Sequence, residues 1–489
     1  MFAAWILALL ASVVARSASP ALFASVLTRS ATIALALTRS ASNALTLEDP
    51  PDRRPDATAK PLTAFSWKSK NDLRFVWWLP KDYDASKPRN LTVICHGTGL
   101  DYRWGFWNNK PGVFRPDDIV VSVDGPTLDQ DKKSRLFLGN KHDADAIVAF
   151  LAELRQLFAV DRIFLYGHSQ GSFFVVFFAG EHPEQVAGVV AHASGAWLGS
   201  KMAGDVKHVP IAFMHGTSDP VVPYGQSPGA RDAYLKAGLT LVHLRRLDRY
   251  SHWPNAVRAN ECLAWCQGMS AKSAEEALAC AREILRPKPA DEYQWTTIVG
   301  FSAARDVLRR IEKKGPAPFV DVPDEVAKKA AELAKKIDEA GKEQVDDVRK
   351  QVKSKADLQT TGPWMGQLIP MREDYRGVES VEAFMKEIDF DAAQHAQDKV
   401  AESICNTWYQ QKDPKKIYDA VVENIGKAIL FDGYPAEFAK KMDEWNKDAK
   451  KLGLSVATTK KYAAFEAWKK GWDDGLKEYE AVWKNWKEP

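Results

Sequence analysis

Between about Leu62 and Lys314, short runs of β-branched and aromatic residues alternate with segments whose apolar positions recur every three or four residues. Short apolar runs suit strands buried on both faces, and the longer spacing suits helices lying against them. The alternation predicts an α/β domain over 60–314, a mostly parallel sheet flanked by helices. Strands are expected at Leu73 to Leu79, Leu91 to Cys95, Ile119 to Val123, Arg162 to Tyr166, Val186 to Ala191, Ile211 to Met214 and Leu239 to Leu247. Helical patterns fall at Ala144 to Phe158, Gly171 to Gly180 and Ala230 to Ala237. A helical hairpin comes next, Asn255 to Gln267 and Glu275 to Leu285. Gly268 closes its first arm, and a capping box from Ser273 to Glu276 opens the second. Trp295 to Lys313 supplies a last helix, and Gly315, Pro316 and Pro318 mark a linker.

Past the linker the period changes. Val326, Ala330, Leu333, Ile337 and Ala340 line one side of a helix, and the region 320–489 reads as all-α. Residues 301–489 hold 34 basic and 35 acidic side chains, a balance that a polyanion-binding arm does not have. The tryptophans of this region, among them Trp445, Trp468, Trp472, Trp483 and Trp486, read as packed faces of amphipathic helices in preference to a polymer platform. On this reading the chain divides near Gly315, and the α/β part works without the helical region.

At the other end, Ala3 to Val14 is an apolar run too short to span a bilayer, with small residues after it. Residues 1–44 are expected to be a targeting segment cleaved near Ser42-Asn43-Ala44, which places the mature protein outside the cytoplasm, secreted or periplasmic. An interfacial helix kept in the mature protein is the alternative.

Composition narrows the partners. The 489 residues are 45% hydrophobic and 27% charged with a net charge of +3, so no broad field draws nucleic acid or an anionic membrane. Cys95, Cys262, Cys266, Cys280 and Cys405 contain no CxxC pair, which argues against zinc. Three of them lie close together, and in an exported protein one local disulfide, Cys262 to Cys280 or Cys266 to Cys280, is expected.

The chemistry centres on Gly167-His168-Ser169-Gln170-Gly171, placed between the expected strand ending at Tyr166 and a buried helix. A strand that turns sharply into a helix lifts a serine to the edge of the sheet, and small flanking residues permit the turn. A serine hydroxyl needs a base to take its proton, and that base needs an acid to fix its tautomer. Asp219 comes after the strand ending at Met214, and His252 after the strand ending at Leu247. The order serine, aspartate, histidine places each group just beyond a strand end, where open α/β sheets gather their sites. Asp248 is the competing acid. His168 is locked inside the turn, and His96, His192 and His215 at strand ends are assigned to structure. An oxyanion needs backbone N–H donors: one from Gln170, the second from Thr98 in His96-Gly97-Thr98-Gly99.

Residues 62–254 resemble the polyhydroxybutyrate depolymerase, feruloyl esterase and acetylxylan esterase group of secreted α/β-hydrolases. The resemblance is carried by Ile94 to Gly97, Asp161-Arg162-Ile163 leading into Gly167 to Gly171, His215 to Tyr224, and His252-Trp253-Pro254. It implies Ser169 as nucleophile, Asp219 as acid and His252 as base. Two departures bear on the substrate: Ser172 stands where the group has a further glycine, and Arg249-Tyr250-Ser251 replaces a glycine run before the histidine. The expectation is an α/β-hydrolase that cleaves a small or polymeric carboxylic ester through an acyl-enzyme, with no cofactor, no nucleic-acid partner and no stable membrane association. A serine peptidase of the same fold and a non-catalytic scaffold are the rival readings. Oligomeric state is left open.

Overall fold

The computed structural model describes residues 50–390 apart from 110, 131–133, 196–204, 217–218, 220, 223, 248–249, 251, 253–255, 287–299, 352–367 and 369–370. The expected leader, Asp248, Trp253, Pro254, Cys405 and the five tryptophans named beyond residue 440 lie outside the described residues.

Eight strands form one sheet: β1 (Phe65–Lys68), β2 (Arg74–Trp78), β3 (Arg89–Cys95), β4 (Ile119–Val123), β7 (Val160–His168), β8 (Gly188–His192), β9 (Ile211–Gly216) and β10 (Val242–Leu247). Their spatial order is β1-β2-β4-β3-β7-β8-β9-β10, and a two-residue ladder of β5 (Thr127–Leu128) and β6 (Arg135–Leu136) stands apart. β2 runs antiparallel to both its neighbours, and the pairs from β4 through β10 are parallel. Parallel neighbours need crossovers, and these cover both faces of the sheet. Strands such as β4 and β8 therefore contain no exposed residue, which is why they read as largely apolar runs.

One face packs against α2 (Lys141–Leu157), α3 (Gln170–Glu181) and α4 (Gln226–Lys236), through residues such as Ile147, Phe150, Phe174, Phe178 and Tyr234. The other face lies under α1 (Arg103–Asn108), α5 (Ala256–Met269), α6 (Ala274–Leu285) and α7 (Phe301–Ile311). The order of strands switches direction between β3 and β7, which are adjacent although β4 intervenes in sequence. The loops leaving their C-terminal ends diverge there and leave a crevice, the usual ligand position in such sheets.

The predicted strands and helices are present where the chain is described, with ends displaced by a few residues; the expected last helix begins at Phe301, and its residues 295–299 and the region beyond 390 lie outside the described residues. The short strand β1, the β5–β6 ladder and helix α1 were not anticipated. Four expectations need correction, three of them local. Gly268 does not end α5: it lies inside the helix, where a Cβ would come within 2.7 Å of Val307 and 3.1 Å of Cys280. Its role is close helix packing.

The capping box is half formed. The Ser273 hydroxyl accepts from the Glu276 amide at 3.2 Å, but the Glu276 carboxylate turns to the Lys272 amide and Arg162. Third, Cys262, Cys266 and Cys280 are free and buried. Cys266 points at the sheet, its thiol 3.5 Å from the Val189 carbonyl oxygen, so it cannot bridge to α6.

The described residues beyond Gly315 belong to the same core as the sheet, against the expectation of a chain that divides there. Helix α8 (Asp324–Gln351) and helix α9 (Glu379–Glu387) place Val326, Ala330, Ile337, Val381 and Phe384 in the apolar cluster that contains Tyr166, Val190 and Met214. Two ion pairs to buried arginines reinforce the contact: Glu373 accepts from Arg231 of α4 at 2.5 Å, and Asp374 accepts from Arg245 of β10 at 2.7 Å. Burial alone would raise the Glu373 carboxyl, but the neighbouring Arg231 and Arg376 outweigh it and hold the group below the usual range. Pro316 and Pro318 turn the chain without separating two cores. Among the described residues no helix is long and apolar enough to cross a membrane.

Candidate active site

Ser169 sits between the last residue of β7 and the first of α3, with φ 51° and ψ −118°. A side chain rarely adopts this region, and holding it there costs about 1–3 kcal/mol, so the surroundings must over-determine it. They do so through glycines. A Cβ on Gly167 would lie 2.3 Å from the Gly171 carbonyl oxygen, and one on Gly171 would lie 2.3 Å from the Cys95 carbonyl oxygen. Both clashes are with backbone, which cannot yield. The Ser169 amide donates to the His192 carbonyl at 3.0 Å, tying the turn to β8. Ser172, which replaces the glycine of the resembling group, is buried and donates its hydroxyl to the Ser169 carbonyl. The substitution adds a tether to the turn.

Asp219 and His252 lie side by side. The His252 Nδ1 lies 2.8 Å from Asp219 Oδ2, while Asp219 Oδ1 accepts from the amides of Val221 at 2.8 Å and Val222 at 2.9 Å. Burial would raise this carboxyl, but His252 and His215 outweigh it and hold Asp219 far below the usual carboxylate range, ionised at any working pH. With Nδ1 donating to the carboxylate, the other nitrogen of His252 is the basic one. The His252 ring packs at 4.9 Å from the ring of His168, the residue preceding Ser169. The Ser169 turn, Asp219 and His252 thus come together at the C-terminal edge of the sheet.

The two amides expected to serve an oxyanion are placed differently. Gln170 opens α3, where the first amides of a helix have no intrahelical acceptor. Thr98 lies on the exposed loop after β3. Gly97 beside it approaches Ser169 so closely that a Cβ would stand 3.1 Å from the serine Cβ. The loop is anchored by His96, whose Nε2 accepts from the Gly125 amide at 3.2 Å. That leaves Nδ1 as the protonated nitrogen, which donates to the Gly97 carbonyl at 2.9 Å. Because a trans peptide points its C=O and N–H in opposite directions, fixing the Gly97 carbonyl also fixes the Thr98 N–H.

Sequence reasoning undervalued the histidines. Five of the ten in the chain, His96, His168, His192, His215 and His252, converge here. His168 is stacked between Trp104, at 4.9 Å, and His192, at 5.0 Å, and burial holds both imidazoles well below their ordinary range, so they stay neutral. The available signal was their position: His168, His192 and His215 lie at the ends of strands, on the edge where the site lies.

Residues 126–257 match the model of the phospholipase/carboxylesterase family, a span that includes Ser169, Asp219 and His252. The sheet order is that of an α/β-hydrolase fold, and residues 126–257 within it are similar to the phospholipase/carboxylesterase family. Among solved structures, a thermostable esterase is similar at 21% identity and a TM-score of 0.31, over 38% of this chain and 54% of that one. A feruloyl esterase module from Clostridium thermocellum, complexed with sinapinate, is similar at 13% identity and 0.32, over 43% of this chain and 91% of that one. A Bacillus cereus carboxylesterase is similar at 19% identity and 0.33, over 40% and 94%. The chain thus spans about half the length of the first of these. No curated protein matches the sequence.

Proposed function

We propose that this chain hydrolyses carboxylic esters by a two-step acyl transfer, with Ser169 as nucleophile, His252 as general base and then acid, and Asp219 as the group that orients it. The observation that carries the reading is the strained Ser169 turn beside an imidazole already paired at 2.8 Å with a buried, ionised carboxylate. The Ser169 hydroxyl loses its proton to the free nitrogen of His252 as it attacks the ester carbonyl, and the resulting imidazolium is stabilised by Asp219. The amides of Gln170 and Thr98 receive the oxyanion. His252 then gives the proton to the departing alkoxide, and water repeats the sequence on the acyl-enzyme.

The substrates that fit are feruloyl or acetyl esters of plant polysaccharide and polyester oligomers, supported by the sequence resemblance of 62–254. An exported location, supported by the apolar N-terminal run, suits such polymers. The test is Ser169→Ala assayed on a p-nitrophenyl ester and on methyl ferulate. The variant is expected to keep the fold and lose at least about a thousandfold in kcat. Retention of more than about a tenth of wild-type kcat would remove Ser169 from the mechanism.

A further inference from the structure

His215 ends a strand, a position that reads as structural, yet its partners give it a second task. It is fully buried, and its Nε2 lies 3.2 Å from Asp219 Oδ2, the same oxygen that His252 approaches at 2.8 Å. The same Nε2 lies 3.0 Å from the Val222 carbonyl oxygen. On the other side Nδ1 lies 2.7 Å from the Ser227 hydroxyl, which in turn lies 2.7 Å from the Ser194 carbonyl oxygen. We propose that His215 is a positioning residue of the acid: it holds Asp219 Oδ2 toward His252 and shares the charge of that carboxylate. The proposal rests on Asp219 and His252 as acid and base and extends that reading.

The charge state of the ring comes from an inventory of donors. A carbonyl oxygen only accepts, so the single proton of Ser227 goes to Ser194, and the serine oxygen must accept from His215 Nδ1. The Val222 carbonyl and an ionised carboxylate also only accept, so Nε2 must donate as well. The ring donates from both nitrogens and therefore carries a positive charge. Asp219 then receives three donors, the amides of Val221 and Val222 on Oδ1 and His252 on Oδ2, with the His215 cation 3.2 Å from Oδ2. Such a carboxylate cannot rotate, and the line from Oδ2 to His252 is fixed before any substrate arrives. The charge matters too. A cation beside Asp219 offsets part of the field of that carboxylate at His252, so removing the charge is expected to strengthen the attraction between the two.

Among the described residues, the polar and titratable groups facing His215 are Asp219 and Tyr224 from its own loop, Ser227 from α4, His192 from β8 and His252 from beyond β10. His192 is neutral through burial, so Asp219 is the one counter-charge among them.

Two substitutions separate the contacts. In His215→Gln the side-chain amide reaches the place of Nε2 and still donates to Asp219, but carries no charge. In His215→Asn the shorter amide reaches the place of Nδ1, keeping the Ser227 link and losing Asp219. With a soluble p-nitrophenyl ester, His215→Asn is expected to lose at least about tenfold in kcat with KM within about twofold. His215→Gln is expected to stay within about threefold of wild type in kcat, with the acidic limb of its kcat/KM profile displaced to higher pH. Equal kcat in both variants, or an unmoved limb in His215→Gln, would overturn the proposal. If His215→Asn does not fold, the Gln variant decides by the limb alone. If neither folds, Ser227→Ala, which removes the acceptor at Nδ1 together with the link to the Ser194 carbonyl, must reproduce the upward displacement, and its failure to do so counts against the proposal. Ser169→Ala run alongside separates the two levels: an active Ser169→Ala removes the proposed function, whereas an inactive one beside wild-type-like His215 variants removes this inference alone.

Discussion

The turn that carries Ser169 is fixed by its own glycines and the end of β3, whereas the loops that carry Asp219 and His252 are braced from a distance. On the serine side, Gly167 and Gly171 press against neighbouring backbone, and one amide ties the turn to His192. On the acid and base side, α4 begins just after the Asp219 loop and β10 leads to His252, and these two elements carry Arg231 and Arg245. Those arginines are paired with Glu373 and Asp374, from a segment well beyond the proline turn at 316–318. The Ser169 turn can thus be written in a pentapeptide, while the support of the Asp219–His252 pair is spread over the chain. The helical segment to residue 390 acts as a brace under half of the site.

Ending the chain after Gly315 puts the largest strain on this contrast. It removes Glu373 and Asp374, leaving two buried guanidinium groups without these partners, and uncovers the apolar faces that α8 and α9 protect. Breaking one such pair typically costs about 3–5 kcal/mol. The expected outcome is little soluble protein and a loss beyond about tenfold in kcat/KM on a small ester, measured against the full chain. A soluble truncated protein with full activity would show that the serine half and the acid–base half are equally self-contained.

Gly171→Ala addresses the other half. Its new methyl would meet the Cys95 and His96 carbonyl oxygens at 2.3 and 2.5 Å, so Ser169 must shift while the Asp219–His252 pair keeps its supports. Displacing the nucleophile by about 1 Å is expected to lower kcat about a hundredfold. Thermal unfolding measured beside kcat distinguishes a moved serine from a lost fold.

The smallest expected effect concerns two buried carboxylates with opposite behaviour. Asp124, just after β4, is lifted by burial to about 6. Its folded form holds a proton more tightly than the unfolded chain, so this group favours the native state below about pH 4, and that advantage is lost as pH rises through 6. Asp219 is depressed instead, so its contribution is present above about pH 4 and lost as pH falls below that. Asp124→Asn removes the first dependence. Relative to wild type, the variant is expected to gain about 3 kcal/mol of unfolding free energy between pH 4 and pH 7, read by urea denaturation at each pH. A difference independent of pH would contradict the placement of that carboxylate in a dry site.

Much of this architecture was legible because it is local. The apolar runs at Ile119 to Val123 and Arg162 to Tyr166 mark strands buried on both faces, and the residues of the Ser169 turn mark its geometry. The places of Asp219 and His252 after strands point to the edge of the sheet where they lie together. The features the sequence hid are long-range. Nothing near Glu373 or Asp374 points to α4 or β10, and Gly268 signals a helix end when in the fold it admits Val307. The three neighbouring cysteines suggested a disulfide because spacing says nothing about which side of α5 each thiol takes. His215 belongs to the same category: as one residue in His-Gly it reads as a strand terminus, and only the folded chain brings Asp219 and Ser227 to its two nitrogens.

The central claim, that Ser169 is the activated nucleophile of this site, is tested most directly by covalent labelling with a fluorophosphonate, which reacts with an activated serine. After proteolysis, mass spectrometry of the full-length chain should find one adduct, on the peptide containing Ser169, and the adduct should disappear in His252→Ala as well as in Ser169→Ala. An adduct on a different serine, or a folded wild-type chain that takes no label, would contradict the account.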